Sequence, residues 1–437
     1  MRQHERHAAT PVAVFLAILA STLSARELES DITAGDSPAE IRRPRAQGPS
    51  LGVQIRERWE WSDPSPVHAT RNSGAGWTGF HRVLTHAELP HTLLHPFIEL
   101  SVHGESKGEA ATQNAFVRNG LDIQHAFVDI DGLHEELRLR LGRQELVYEF
   151  IGWRDAPNVR RAWDGMRATW TPNGWTHDLF ALRLVEPQTG SFDDDSHASD
   201  RAIGVHTTSP TNAPYSVSAF AYDTKQSAWR LADRSVAART RTAGGILTLR
   251  PAPFELSVGG ALQYGKAGSR EIRSWYAEAE IGRTLLPSND SPYIAVRASA
   301  FSGGSPAAAV VHTFDPLFPN FAYSSEAALQ SPSNLVRAAL IGEIGSKQRT
   351  LLEYRGEGLW RYSQRDAYYL PAGSMPIAGD DRSGRWVGLQ QQLKLSYPLG
   401  DVVRLVAAYV NLQAGSFLQR AGHGDAHYLL LQLELGL

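Results

Sequence analysis

The chain has 437 residues, with 43 Lys+Arg against 46 Asp+Glu and a formal net charge of −3. That balance offers no global basic excess for nucleic acid, and the absence of cysteine excludes a disulfide scaffold, a thiolate metal site and a thiol nucleophile. Lys107, Lys225, Lys266, Lys347 and Lys394 are the only lysines, so guanidinium groups carry nearly all the positive charge, and their planar forks suit carboxylates and phosphates.

The first predicted element is an export signal. Arg2, His4, Arg6 and His7 precede the apolar run "VAVFLAILA" (Val12 to Ala20) and the small-residue stretch "STLSA". This pattern predicts a cleaved secretory signal over residues 1–25. The run is shorter than the roughly 20 apolar residues of a transmembrane helix, so entry into a membrane would require a β-barrel. Residues 26–49 are polar, with Pro38, Pro44, Pro49 and the cluster Arg42, Arg43 and Arg45, and they read as a flexible periplasmic lead-in.

Over residues 50–437 period two is common and helical periodicity hard to find. In "LGVQIRERWEW", Leu51, Val53, Ile55, Trp59 and Trp61 share one face and Gln54, Arg56, Arg58 and Glu60 the other, with Glu57 breaking the apolar side. In "PFIELSVHG", Ile98, Leu100 and Val102 oppose Glu99, Ser101 and His103; in "LFALRL", Phe180, Leu182 and Leu184 oppose Arg183. "LEYRGEGLWRYS" sets Tyr354, Trp360 and Tyr362 against Glu353, Arg355, Glu357 and Arg361. "LQQQLKLSYPL" sets Leu393, Leu395 and Tyr397 against Gln392, Lys394 and Ser396, and the terminal "YLLLQLELGL" sets five leucines against Gln432 and Glu434. Turn clusters such as "DPSP", "TPNG", "FDDDS" and "PSNDSP" separate these runs.

A soluble sandwich or propeller would bury the apolar parity, whereas a transmembrane barrel would turn it to lipid. The export signal, runs of about ten residues and aromatics near run ends favour the barrel; these aromatics are Trp59, Trp61, Trp170, Trp360, Tyr362, Tyr397 and Tyr428. At roughly 22 residues per strand and connection, the predicted fold is all-β, a transmembrane antiparallel β-barrel of about 18 strands (16 to 18).

The stretch "LRLRLGRQELVYEFIGWRDAPNVRRAWDGMRATW" (Leu137 to Trp170) concentrates Arg138, Arg140, Arg143, Arg154, Arg160, Arg161 and Arg167. If Leu137, Leu139 and Leu141 meet lipid, Arg138 and Arg140 must face the lumen, because an arginine on the lipid side at the midplane costs about 2–4 kcal/mol. Gly152 and Pro157 place "IGWRDAPNVRR" in a loop, and "AWDGMRATW" starts the return strand, bringing Arg160, Arg161 and Arg167 near the first group. Clustered guanidinium groups raise the local concentration of anions. The alternative is that Glu145, Glu149, Asp155 and Asp164 pair with them to brace the wall.

These residues resemble the alginate export family of outer-membrane barrels. The likeness lies in "GRQEL…RxxPNVRRxxDG" and continues through "ALQYGKAGSREIRSWYAEAEIG" (Ala261 to Gly282), "HTFDPLFPNFAY" (His312 to Tyr323), "SNL" (Ser333 to Leu335) and "NLQAGSFLQ" (Asn411 to Gln419). The resemblance implies a lumen that passes an anionic exopolysaccharide. Arg138, Arg143, Arg154, Arg160, Arg161 and Arg167 would line the path, and Asn158 and Asp164 would fix an inward loop. Two departures stand out: "LVYEFIGW" replaces a glycine-rich stretch, and the chain ends in Leu437 rather than an aromatic residue.

Histidine pairs such as His81/His86, His91/His95 and His423/His427 lie among strands and turns and read as structural, and "DDDS" (Asp193 to Ser196) reads as an exposed acidic loop before a Ca²⁺ site. The resulting expectation is a channel, not an enzyme, with no cofactor or metal. Its path residues are Arg138, Arg140, Arg143, Glu145, Arg154, Asn158, Arg160, Arg161, Asp164 and Arg167. Its expected partners are an anionic carbohydrate such as a uronate oligo- or polysaccharide, outer-membrane lipid and periplasmic export or uptake components. A non-conducting barrel that binds sugar acids and a barrel-embedded lipase with a Ser/His pair on its outer face are the alternatives.

Overall fold

The computed structural model describes residues 48–63, 76–106, 115–152, 158–210, 214–286, 292–319, 325–346, 349–371 and 375–437. The expected signal and nearly all of the lead-in, as well as Arg154 and Asp155, lie outside these residues. The alternating segments form β1 (Ser50–Ser62), β2 (Gly76–Glu88), β3 (Leu94–Ser106), β4 (Asn119–His134), β5 (Leu137–Gln144) and β6 (Trp163–Trp170). Next come β7 (Thr176–Glu186), β8 (Asp195–Thr208), β9 (Tyr215–Leu231), β10 (Arg234–Leu249), β11 (Phe254–Ala267), β12 (Arg270–Thr284) and β13 (Tyr293–Phe301). The chain continues with β14 (Val310–Val311), β15 (Leu335–Gly345), β16 (Leu351–Arg361), β17 (Trp386–Leu399), β18 (Val403–Ala414), the short helix α1 (Ser416–Arg420) and β19 (Ala426–Gly436).

Each wall strand pairs antiparallel with its sequence neighbour, and β1 closes the ring on β19 from Gln54↔Gly436 to Ser62↔Tyr428. Because β13 pairs directly with β15, the two-residue β14 is a side branch lying parallel to the start of β12, and the closed wall has 18 strands. Leu437 exchanges two backbone hydrogen bonds with Val53, at 2.9 and 2.8 Å, so the non-aromatic last residue still seals the seam through its main chain.

Side-chain exposure follows the alternation. In β10, Ala238, Thr240 and Thr242 are buried while Arg239, Arg241 and Ala243 are exposed. Leu51, Trp59, Ile98, Val102, Leu141, Met166, Leu179, Ile203, Leu262, Val296 and Leu393 are among the large apolar side chains left exposed on the outer parity. An apolar surface that encircles the wall has no place in water and matches the lipid-facing band of a membrane barrel. Trp59, Trp170 and Tyr397 stand exposed on that surface as the expected girdle requires. Tyr428 does not: it is fully buried on the inner parity, where its hydroxyl accepts from Arg58 at 3.2 Å.

Connections at the end that carries both wall termini are short, and the longer ones gather at the opposite end, which makes the first end periplasmic. The described residues of three long connections, 145–152 with 158–162, 302–319 with 325–334, and 362–371 with 375–385, turn into the lumen. Leu146, Tyr148, Ile151, Phe314, Leu317, Phe318, Leu329 and Tyr368 from these segments form one buried cluster with wall residues such as Trp163, Phe180 and Leu182. Ring pairs include Phe150–Phe314 at 5.1 Å and Trp163–Phe318 at 4.9 Å, and each such pair adds about 0.5–1.5 kcal/mol beyond area burial. This cluster reverses one expectation: the apolar parity of "LFALRL" points inward, since Phe180 and Leu182 pack on these loops, while Arg183 lies on the outer parity with exposed Leu179.

Candidate functional site in the lumen

The arginine strand β5 behaves as its alternation predicts at its first half. Arg140 turns inward and donates to both oxygens of Asp129 on β4 at 2.6 and 2.7 Å, with its guanidinium 3.7 Å from the centre of the Phe127 ring. Arg138 donates to Asp131 at 3.3 Å and keeps 41% side-chain exposure. Arg167 faces Arg140 directly across β5–β6, so two like charges share one level of the lumen wall and Asp129 offsets them.

The second half departs from expectation. Arg143 and Asp164 are direct cross-strand partners on the parity of Leu141 and Met166, the outer one, and they form a bidentate ion pair at 2.9 and 3.0 Å. They are therefore a wall brace and not a lining of the path. Below this pair Gly142 faces Gly165, with φ of +123° and +150°. A Cβ at either glycine would sit 2.2 or 2.3 Å from a neighbouring carbonyl oxygen, so only glycine lets the strands close here.

The loop arginines act as staples. Arg161 donates to the carbonyls of Gly152, Phe318 and Pro319, tying residues 145–162 to residues 302–334. Asn158, fully buried, donates to the carbonyls of His81, Gly104 and Val117 at 3.0–3.1 Å and accepts from Arg56 at 3.0 Å. The loop is thereby pinned across β1–β3. Arg160 reaches Gln54 at 3.3 Å and lies 4.0 Å from Glu145. Glu149 instead meets His206 and Ser218, each at 2.7 Å. Burial works against its charge, but these two bonds hold the Glu149 carboxyl below the usual range.

The sequence reading noted Arg56, Arg58 and Arg355 only as strand-face residues and missed several inward charges altogether. Arg56 and Arg82 oppose each other on β1–β2, and Arg58 bonds Glu60 at 2.6 Å. On the far wall Arg297, Arg337 and Arg355 line a shallow, narrow concavity together with Ser299, Ile341 and Glu357. Arg297 retains 31% and Arg355 23% side-chain exposure, whereas Arg56 and Arg361 retain none. The signal was the same alternation, visible as "RER" and "EYRGE", but no arginine density flagged it.

Asp122, Asp193 and Asp194 bring carboxylate oxygens within 4.8 Å of one another. Asp122 accepts from the backbone N–H groups of Asp193 and Asp194, and Asn119 donates to Asp194 at 3.0 Å, which ties the 187–194 connection to β4. Burial pushes the Asp194 carboxyl up to about 6, with the Asp122 carboxylate adding to the rise. A raised acid binds its proton more tightly folded than unfolded, so this contribution to stability is present at low pH and is lost as pH rises toward about 6. Asp194→Asn should flatten that slope in thermal melts between about pH 4 and pH 7; an unchanged slope would place the raised group elsewhere.

On the outer wall of β1–β3 one polar group interrupts the apolar parity. His81 is the direct partner of Glu57 and bonds its carboxylate through Nδ1, while Nε2 lies 2.9 Å from the Ser106 hydroxyl. Gly79 leaves the room: a Cβ there would sit 2.4 Å from Ser106 Oγ and 2.8 Å from the Trp59 ring.

The sequence profile of the alginate export family matches residues 50–432. No curated protein matches the chain by sequence. Among solved structures, OpdL of Pseudomonas aeruginosa superposes with a TM-score of 0.59 at 12% identity, covering 89% of this chain and 98% of that one. OccK8 (OprE) of the same species gives 0.58 at 10% identity, with 89% and 98% covered. OpdK of that species, solved with vanillate, gives 0.53 at 11% identity, with 89% and 99% covered.

Proposed function

The chain belongs to the alginate export family as an outer-membrane barrel, and from that premise we propose that it conducts anionic solutes, uronate-bearing oligo- or polysaccharides first among them, down a concentration gradient. The observation that carries this reading is the set of inward guanidinium groups that stay accessible, Arg138, Arg297 and Arg355, on opposite parts of one closed wall. Fully buried arginines such as Arg56 hold loops; accessible ones can exchange a bond with a passing carboxylate. A guanidinium has five N–H donors, so a paired acid can aim the fork without consuming it. That a fold neighbour was solved with vanillate, an aromatic carboxylate, is in keeping with anion passage. Purified protein in planar bilayers should show conductance steps with anion-selective reversal potentials, and oligouronate should block them transiently. Absence of steps would leave a binding barrel instead.

A second reading is favoured by the Glu57–His81–Ser106 group. With its Nδ1 hydrogen on Glu57, a neutral His81 would turn its Nε2 lone pair toward Ser106, the arrangement that activates a serine nucleophile. Trp59, part of the aromatic girdle, lies 5.8 Å from His81 ring to ring, so the group sits beside the aromatic band of the outer wall. Ser106 Oγ would attack an ester carbonyl and His81 would pass its proton to the leaving alkoxide, after which water would release the acyl group. A fluorophosphonate probe should then label Ser106, and Ser106→Ala should abolish fatty-acid release from phospholipid vesicles. Neither labelling nor release would reduce the trio to a polar brace at the membrane boundary.

A further inference from the structure

The outer wall of β7–β11 carries a row of charge that the channel reading does not use. Arg183 on β7 is the direct partner of Arg201 on β8, Arg201 of Lys225 on β9, Lys225 of Arg239 on β10, and Arg239 of Lys266 on β11. Five cations thus stand side by side on five consecutive strands. All have the outer parity, shared with exposed Leu179, Ile203, Leu247 and Leu262. The row runs obliquely, at or beyond mid-strand toward the end with the long connections, which is the extracellular end.

Direct cross-strand neighbours have Cβ atoms only about 4.5–5.5 Å apart, and like charges so placed repel. Nearby acids offset the row only in part. Asp164, the direct partner of Arg183, is engaged by Arg143 at 2.9 Å, Asp223 bridges Arg239 and Arg241 at 2.8 and 3.3 Å, and Glu271, the partner of Lys266, is engaged by Arg273 at 2.8 Å. Arg241 is 69% and Arg273 62% exposed, so they extend the positive surface rather than cancel it. An arrangement that repels itself on a lipid-facing wall calls for an anionic partner seated against that wall. The leaflet there supplies one whose head group bears phosphates while its acyl chains cover the leucines below.

We propose that the Arg183–Lys266 row is a binding site for a phosphorylated glycolipid of the outer leaflet, held by its phosphate groups. The site is independent of what crosses the lumen, because every residue in it lies on the other side of the wall.

The test uses the full-length barrel in detergent with lipid A bisphosphate and its dephosphorylated form as probes, read by native mass spectrometry. The wild-type protein should retain the phosphorylated form and not the other. Arg201→Gln, Arg239→Gln and Lys266→Gln together should lower retention about a hundredfold, at roughly fivefold for each basic residue near an anionic surface. Conductance and reversal potential should stay unchanged, which separates failure here from failure of the channel reading. Heat-modifiable migration reports folding. If the triple variant does not fold, Lys266→Gln alone is paired with a salt titration, in which wild-type retention should fall as salt is raised. Equal retention of the two lipids, insensitivity to charge and salt, or displacement by oligouronate at matched concentration would overturn the proposal.

Discussion

Replacing Arg138, Arg297 and Arg355 together by glutamate is expected to move ion selectivity from anions toward cations. Each side chain is on the inner parity and partly accessible, and each already sits beside an acid: Asp131, Glu280 and Glu357 respectively. A unit charge about 6 Å from a solute ion in water is worth about 0.7 kcal/mol, and screening at 0.1 M salt leaves about 0.4. Reversing three charges changes six such increments, about 2 kcal/mol, or more than tenfold in relative permeability. The reversal potential in a salt gradient measures it directly. If the potential kept its sign and size, the accessible arginines would not be the filter, and selectivity would have to come from elsewhere in the lumen. Arg143→Glu serves as the internal control: its outward ion pair with Asp164 predicts a stability loss with no selectivity shift.

Asn158→Ala is expected to release the inward loop and enlarge the conductance step. The amide holds the carbonyls of His81 and Gly104 on the wall, that of Val117 before β4, and the Arg56 guanidinium, with no exposure to water. Truncation leaves buried acceptors and a charged donor short of partners. At about 1–3 kcal/mol for each of the four groups left unsatisfied, the total is at least about 4 kcal/mol, enough to favour an opened loop over a pinned one. Single-channel recording should show larger, noisier steps, and limited proteolysis should cut within residues 145–162. A barrel with wild-type steps and an intact loop would mean that Arg161 and the Trp163–Phe318 packing suffice to hold the constriction.

Much of the architecture is legible in the sequence because strand alternation is local. A residue's parity depends only on its neighbours, so "LRLRL" placed Arg138 and Arg140 inward, and "LQQQLKLSYPL" placed Leu393 and Tyr397 outward, as observed. Length and turn spacing implied 16 to 18 strands, and the wall closes with 18. What needed the tertiary structure was everything set by partners distant in sequence. The acids that aim Arg138 and Arg140 come from β4, and the carbonyls that pin Asn158 come from β2, β3 and the segment before β4. The inward turn of Phe180 and Leu182, and with it the outward Arg183, depended on an apolar core that loops 145–162 and 302–334 bring into the lumen. The contiguous row from Arg183 to Lys266 exists only through the registers of five strands. Alternation says which side of a sheet a side chain takes, because that is a property of the extended backbone; register and loop docking say what it meets there, because they are settled by hydrogen bonds and packing between segments far apart along the chain.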